Sequence, residues 1–248
     1  MTTPITTAGS RLRGRRKLLI VVAVLALAGI AAGGFGLWYI LVGTPSPAAA
    51  APVIPAGASV PAPASLDGSW QVNTSLGSMN DFSSSWVGYR VQEQLAGVGG
   101  HTAVGRTPKV TGSLTLAGST VSAVSITADL TVLASDSAQR DDQLRRQAIE
   151  TDTFPTATFK LTAPIALGSL PADGATVAAT ATGDLTIHGA TKSVQISIQA
   201  QRQGGIIAVA GSIPIVFGDY GFQGPSSFAV VSVNDHGVME LHLLFTHV

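Results

Sequence analysis

The sequence contains no cysteine among its 248 residues. This absence excludes disulfide bonds, metal sites built on thiolates, cysteine nucleophiles and a lipid-modified cysteine at the amino terminus. The catalytic motifs that a sequence can display are missing as well: there is no G-x-S-x-G nucleophile motif, no P-loop and no H-E-x-x-H zinc motif. We therefore predict a protein that is not an enzyme and that holds neither a metal nor a cofactor.

Histidines are scarce, and their spacing does not suggest a shared ligand. His242 and His247 are five residues apart in a predicted strand, so their side chains point to opposite faces and are poor co-ligands. His188 precedes Gly189 at the end of another predicted strand. We expect it to face the turn there, with a functional role as the less favoured alternative.

Charged residues make up only 11% of the chain, and the two signs are segregated. All fourteen carboxylates lie after Leu66, and nine of the fourteen Lys and Arg residues accompany them, which leaves this part with a net charge of about −5. A net negative domain argues against nucleic acid as a partner. The remaining basic residues are Arg11, Arg13, Arg15, Arg16 and Lys17.

One long hydrophobic run, Leu18 to Val42, follows the basic cluster directly. Its twenty-five uncharged residues would form a helix roughly 37 Å long, which exceeds a hydrocarbon core of about 30 Å. The positive-inside rule then places residues 1–17 in the cytoplasm and the rest of the chain outside a cell membrane that the protein crosses once. The alternative is a cleaved signal peptide, with Ala48 and Ala50 forming an A-x-A cleavage site. The hydrophobic run, however, is nearly twice the length of a usual signal-peptide core.

Residues 43–66 contain six prolines and no charge. This composition predicts an extended, semi-rigid Pro/Ala-rich linker that cannot build a core and that separates the next domain from the membrane.

Residues 67–248 show the period-two alternation of β-strands. The clearest example is Val124 to Val132, in which apolar residues alternate with Ser, Thr and Asp. Further strands are expected at residues 87–95, 110–116, 156–162, 177–187, 194–200, 206–217, 227–233 and 238–248. Eight to ten strands joined by short turns predict an all-β domain, either an antiparallel barrel or a sandwich.

A single segment, Gln139 to Ile149, breaks this pattern. Leu144, Ala148 and Ile149 form one apolar edge among charged residues, as in a short amphipathic helix, and Pro155 prevents its continuation. We expect this helical insertion to cover one end of the domain and to serve there as an entrance that can open.

Two interpretations of the interior stay open at this point. Aromatics are only 6% of the chain, and the predicted inward positions Ala179, Ala181 and Gly183 are small. An eight-stranded barrel can hold one ligand or be filled by its own side chains, and periodicity does not choose between them.

The order of four motifs, RDDQLRR, DTFPTATFKLT, GDLTIHGATKSVQI and FGDYGF, resembles the YceI-like family over roughly Gly68 to Phe245. The matching residues are Arg140, Asp141, Leu144, Arg145, Phe154, Pro155, Phe159, Gly183, Leu185, Thr186, Gly189, Thr191 and Lys192. Departures occur at Gln143, Arg146, Ala148, Ile149, Phe217 and Tyr220. Since the substituted positions are polar ones, the resemblance does not carry recognition of a polar head group over to this chain.

The resemblance implies a lipocalin-like antiparallel β-barrel that holds a polyisoprenoid or a comparable long apolar lipid in its lumen. The alternative function is a ligand-free interaction scaffold outside the membrane, with a protein partner that the sequence does not identify. The residues expected to line the lumen are Ile126, Leu130, Val132, Leu144, Ile149, Phe154, Phe159, Leu161, Ala181, Leu185, Ile187 and Phe217.

Overall fold

The structure is a computed structural model and describes residues 51–95, 99–224 and 230–248. The predicted cytoplasmic tail (1–17) and transmembrane helix (18–42) lie outside these ranges. Within them, no helix is both long enough and apolar enough to cross a membrane.

Antiparallel β-strands form nearly all of the regular structure that is described, so the prediction of an all-β domain is confirmed. The strands are β1 (Gly68–Val72), β2 (Trp86–Leu95), β3 (Gly99–Thr107), β4 (Val110–Ala117), β5 (Thr120–Asp129), β6 (Ala134–Ser135), β7 (Thr156–Leu161), β8 (Ile165–Ala166), β9 (Thr176–Ile187), β10 (Ala190–Gln203), β11 (Ile206–Val216), β12 (Val230–Val233) and β13 (His236–His247).

The sheet closes on itself as an eight-stranded barrel. Its order is β1-β4-β5-β7-β9-β10-β11-β13, and β13 pairs back onto β1 with Trp70 opposite His247. The hairpin of β2 and β3 extends this ring: β2 pairs with the first half of β13, with His242 opposite Trp86, while β1 pairs with the second half. β1 and β2 therefore lie one after the other along the same side of β13. In the same way, β4 lies beside β1 and β3 lies beside β2.

A loop of residues 73–85 interrupts the wall between β1 and β2. At this break the Asn73 N–H donates to the Leu244 carbonyl (2.7 Å), and the Leu244 N–H donates to Ser85 Oγ (2.9 Å). Both backbone groups of Leu244 are thus satisfied where no strand lies beside them, as a buried backbone requires.

The predicted helix is present, but its second half departs from α-geometry. Helix α1 (Ala138–Gln143) begins after Ser137, whose Oγ accepts from the Arg140 N–H at 3.3 Å as an N-cap. It continues as a π-helical turn, Leu144–Ala148, and the chain then reverses at Glu150, which has φ 50°. The 3₁₀ helix Phe217–Tyr220 is a second helical element that the sequence did not predict. Its first residue, Phe217, was expected to be the last residue of a strand.

Residues 52–61 are not a free spacer, and the linker prediction is wrong for them. Ile54, Ala58 and Val60 pack against Ile206, Ala208 and Leu244 on the outer face of β11 and β13. Without this segment, the outward-facing apolar residues of these two strands would form an exposed hydrophobic patch, and residues 52–61 cover it.

Two polar contacts fix this segment to the barrel. The Gly205 N–H donates to the Val60 carbonyl at 2.8 Å, and a Cβ on Gly205 would lie 2.3 Å from the Pro61 carbonyl oxygen, so only glycine fits. His242 Nδ1 lies 2.9 Å from the Ser84 carbonyl and donates to it, and Nε2 lies 3.0 Å from both the N–H and the carbonyl oxygen of Val53. In the neutral ring with its proton on Nδ1, Nε2 accepts from the Val53 N–H. Burial lowers the pKa of His242 and favours this neutral ring.

Candidate functional site

Among the described residues, the barrel lumen shows two apolar cavities, one toward each end. The larger, here called the far cavity, has a volume of about 170 Å³. The smaller, of about 110 Å³, lies beside α1 and the π-helical turn and is called the helix-side cavity. Two internal cavities favour a ligand site over a fully packed interior, because protein cores otherwise leave few voids larger than a water molecule.

Alternating side chains of the long strands build the wall of the far cavity. Leu241, Leu243 and Phe245 point inward from β13, while the residues that alternate with them, Glu240, His242 and Leu244, are buried on the outer face. Leu66, Leu167, Leu170 and Pro171 lie at its end, on chain segments outside the long strands.

The helical segment closes the other cavity with its apolar edge. Leu144, Ala148 and Ile149 all line the helix-side cavity, so the edge faces inward as expected. Phe217 and Phe222 complete this end with their rings stacked at a centroid distance of 5.1 Å.

A buried ion pair anchors the helical segment to the barrel wall. Arg140 Nη2 donates to Glu93 Oε1 at 2.7 Å, and the two side chains are only 11% and 5% exposed. The same carboxylate oxygen lies 2.9 Å from His101 Nδ1, and Arg140 also pairs with Asp136. Burial by itself would lower the pKa of Arg140, but the hydrogen bond and charge of Glu93 raise it above its ordinary value.

Asp141, the second member of the Arg-Asp motif, has a local role. Its Oδ1 accepts from the Ser135 N–H (2.9 Å) and from Ser135 Oγ (2.6 Å), which fixes the turn that precedes the helix. The motif thus joins β6, the helix and Glu93 of β2. Arg140 is therefore a largely buried ion-pair partner, with its side chain only 11% exposed.

Tyr89 brings a further polar group to the wall of the helix-side cavity. Burial raises the pKa of its hydroxyl above the ordinary value, so the group stays a neutral phenol. Gly105 makes room for the ring, because a Cβ there would lie 2.4 Å from Tyr89 Cε1.

His188 has a structural position near the same end. Its ring lies 4.2 Å from that of Phe154 and 5.7 Å from that of Phe222, and Nδ1 lies 3.1 Å from the Tyr220 carbonyl. His188 therefore joins the β9–β10 turn to the 3₁₀ helix. In the described ranges, no group of three or more His, Asp or Glu residues is arranged to hold a metal ion.

Nine of the twelve predicted lumen residues line one of the two cavities. Ile126, Phe159, Ala181 and Leu185 line the far cavity, and Leu130, Leu144, Ile149, Ile187 and Phe217 line the helix-side cavity.

Three predicted lumen residues line neither cavity. Val132 was expected in a strand, but β5 ends at Asp129, whose carboxylate accepts from the Thr131 N–H (2.9 Å) and turns the chain. Phe154 lies in the turn after the helix, against His188. Leu161 is the last residue of β7 and packs against the core.

The sequence analysis missed other lining residues, although the alternation of inward and outward residues along β2 and β13 could have identified some of them. Val87, Tyr89, Val91 and Glu93 alternate along β2, so the inward position of Glu93 follows once Val91 is placed inside. Met239 follows in the same way from the alternation of β13.

Comparison with known proteins agrees with this architecture. The family model of the YceI-like domain matches residues 71–245. A polyisoprenoid-binding domain from Saccharophagus degradans, implicated in plant cell wall breakdown, is similar in structure with a TM-score of 0.55 at 16% identity, covering 73% of this chain and 99% of that one. BcnA from Burkholderia cenocepacia has a TM-score of 0.50 at 22% identity, covering 64% and 95% of the two chains.

No curated relative matches the chain in sequence. The family match nevertheless spans well over half of the chain and coincides with the barrel, its helical insertion and both cavities. The chain belongs to the YceI-like family.

Proposed function

We propose that this protein is an extracytoplasmic lipid-binding protein that holds a polyisoprenoid, or a similar long apolar chain, in the barrel lumen. The observation that carries the proposal is the apolar lining of both cavities, with Glu93 and Arg140 paired to each other at one edge. An apolar cavity binds an apolar chain by removing its surface from water.

Two further arguments support this function. The polyisoprenoid-binding domain from Saccharophagus degradans has the same fold, and the chain carries the family's motifs. The charge segregation in the sequence favours attachment to the cell membrane by residues 18–42, with the amino terminus in the cytoplasm. In this proposal the protein sequesters or carries lipid and performs no reaction.

The lipid can be identified by organic extraction of the purified full chain followed by mass spectrometry. We expect an isoprenoid or comparable chain in the parent protein. Ala181→Trp should fold but retain several-fold less lipid, because Ala181 lines the far cavity and an indole fills the space of the ligand.

Ala178→Trp is the matched control, since Ala178 lies on the same strand but is exposed on the outer face. It should retain as much lipid as the parent. Equal retention by Ala181→Trp would contradict lumen binding and favour the interaction scaffold. The anchor is tested separately: amino-terminal sequencing of membrane-isolated protein that began near Ala51 would contradict it.

A further inference from the structure

Three side chains line both cavities and so mark the boundary between them. They are Val87 of β2, Ala157 of β7 and Met239 of β13. Inward residues on either side of this boundary line one cavity each. On β9, for example, Leu185 lines the far cavity and Ile187 lines the helix-side cavity. The boundary at Val87, Ala157 and Met239 is here called the waist.

The waist closes from opposite walls of the barrel. β7 lies four places from β13 in the ring of eight strands, and β2 pairs directly with β13. Val87 and Met239 thus stand together on one wall, and Ala157 faces them from the other. Since Ala157 has the smallest side chain of the three, the width of the waist depends on the two larger ones.

Met239 is suited to open this waist without a change of the backbone. A methionine side chain has three rotatable bonds and no branch, so it fills a gap and can vacate it by changing rotamers. Its neighbours along the inner face of β13, Leu241 and Leu243, are branched and less adaptable.

We propose that Met239, closing against Ala157, determines the length of the lipid chain that the lumen holds. A short chain occupies the far cavity alone and leaves the waist closed. A long chain displaces the Met239 side chain and continues into the helix-side cavity, where Leu144 and Phe217 receive its end. This inference rests on the proposed lipid-binding function and adds the residue that selects among lipids.

The test compares farnesol, which has three isoprene units, with solanesol, which has nine, on the full chain. Ala157→Leu narrows the waist from the wall opposite Met239. We expect it to bind solanesol about tenfold more weakly or worse, while farnesol binding stays within about threefold of the parent. Ala179→Leu is the control, because Ala179 lines the far cavity only and its enlargement should weaken both probes.

Met239→Ala widens the same waist. It serves as the second test if circular dichroism shows that Ala157→Leu does not fold. Solanesol should associate about threefold faster or more, with farnesol unchanged. If Ala157→Leu binds both probes like the parent or weakens both equally, or if Met239→Ala leaves solanesol association unchanged, the waist does not select chain length, although lipid binding stands. A parent protein that binds neither probe overturns the lipid-binding function and this inference with it.

Discussion

At the helix end of the barrel, the closing element is attached to the wall by charges that water hardly reaches. Arg140 connects the helix to Glu93, and Asp141 fixes the preceding turn through Ser135. At the far end, the loop of residues 167–175 is attached at the surface. Asp173 pairs with Arg202 at 2.6 Å, but its side chain is 55% exposed, and Leu170 beside the cavity is 39% exposed.

This difference between the two ion pairs favours opening at the far end. Separating a buried ion pair leaves an uncompensated charge, whereas an exposed pair exchanges its partner for water at little cost. The sequence suggested that the helical insertion is a movable entrance. The contacts of Arg140 indicate instead a fixed plug, and we expect lipid to exchange through the far end.

The largest expected effect comes from removing the attachment of the helix. Arg140→Leu leaves Glu93 buried without its cation, and we expect the free energy of unfolding to fall by about 3 kcal/mol or more. Urea denaturation measures it. Arg145→Leu is the control: Arg145 is a neighbouring arginine that pairs with Asp142 at the surface, and its loss should change little. Equal losses in the two variants would contradict a special role for the buried pair.

A somewhat smaller effect is expected from the apolar edge of the helical segment. Leu144→Asp places a charge against the helix-side cavity and should cost about 2 to 4 kcal/mol and lower lipid retention. Gln147→Asp adds the same charge at an exposed position of the same turn and should leave retention unchanged. Retention that fell equally in both variants would mean that charge, and not the cavity, is responsible.

The smallest effect on stability is expected at the far end. Asp173→Ala removes the surface contact to Arg202 and the acceptor of the Gly204 N–H, and should cost no more than about 1 kcal/mol. Exchange of a bound fluorescent lipid should nevertheless become faster. Asp142→Ala, which removes exposed pairs at the helix end, should leave the exchange rate unchanged. A faster rate in this control alone would locate the opening at the helix after all.

Strands with one wet face were predictable from the sequence, because alternation directly reports such a face. β4, β5, β9 and β10 were all recognised in this way. β3, GGHTAVGRT, was not, since Ala103 to Thr107 are all buried and show no alternation. Among the predicted residues that line a cavity, strand alternation accounts for Ile126, Leu130, Phe159, Ala181, Leu185 and Ile187, and the apolar edge of the helical segment accounts for Leu144 and Ile149. Val132 failed because an aspartate turn ended its strand.

Contacts between distant segments could not be derived in this way. Glu93 and Arg140 are 47 residues apart, and neither position reveals the other. The packing of residues 52–61 was hidden by composition, because proline and alanine usually indicate a free linker. Their partners, Ile206, Ala208 and Leu244, face outward from the barrel. Apolar side chains at such positions are expected only where another segment of the chain covers them.

The docked segment has a mechanical consequence. A pull on the chain before Ala51 first reaches the contacts of Val53 with His242 and of Val60 with Gly205. Those contacts bear the load before it reaches β1, the strand at which the barrel closes on β13. Peeling residues 52–61 from the outer wall would lengthen the free chain before β1 and relieve the force, so we expect the seam between β1 and β13 to stay closed under tension.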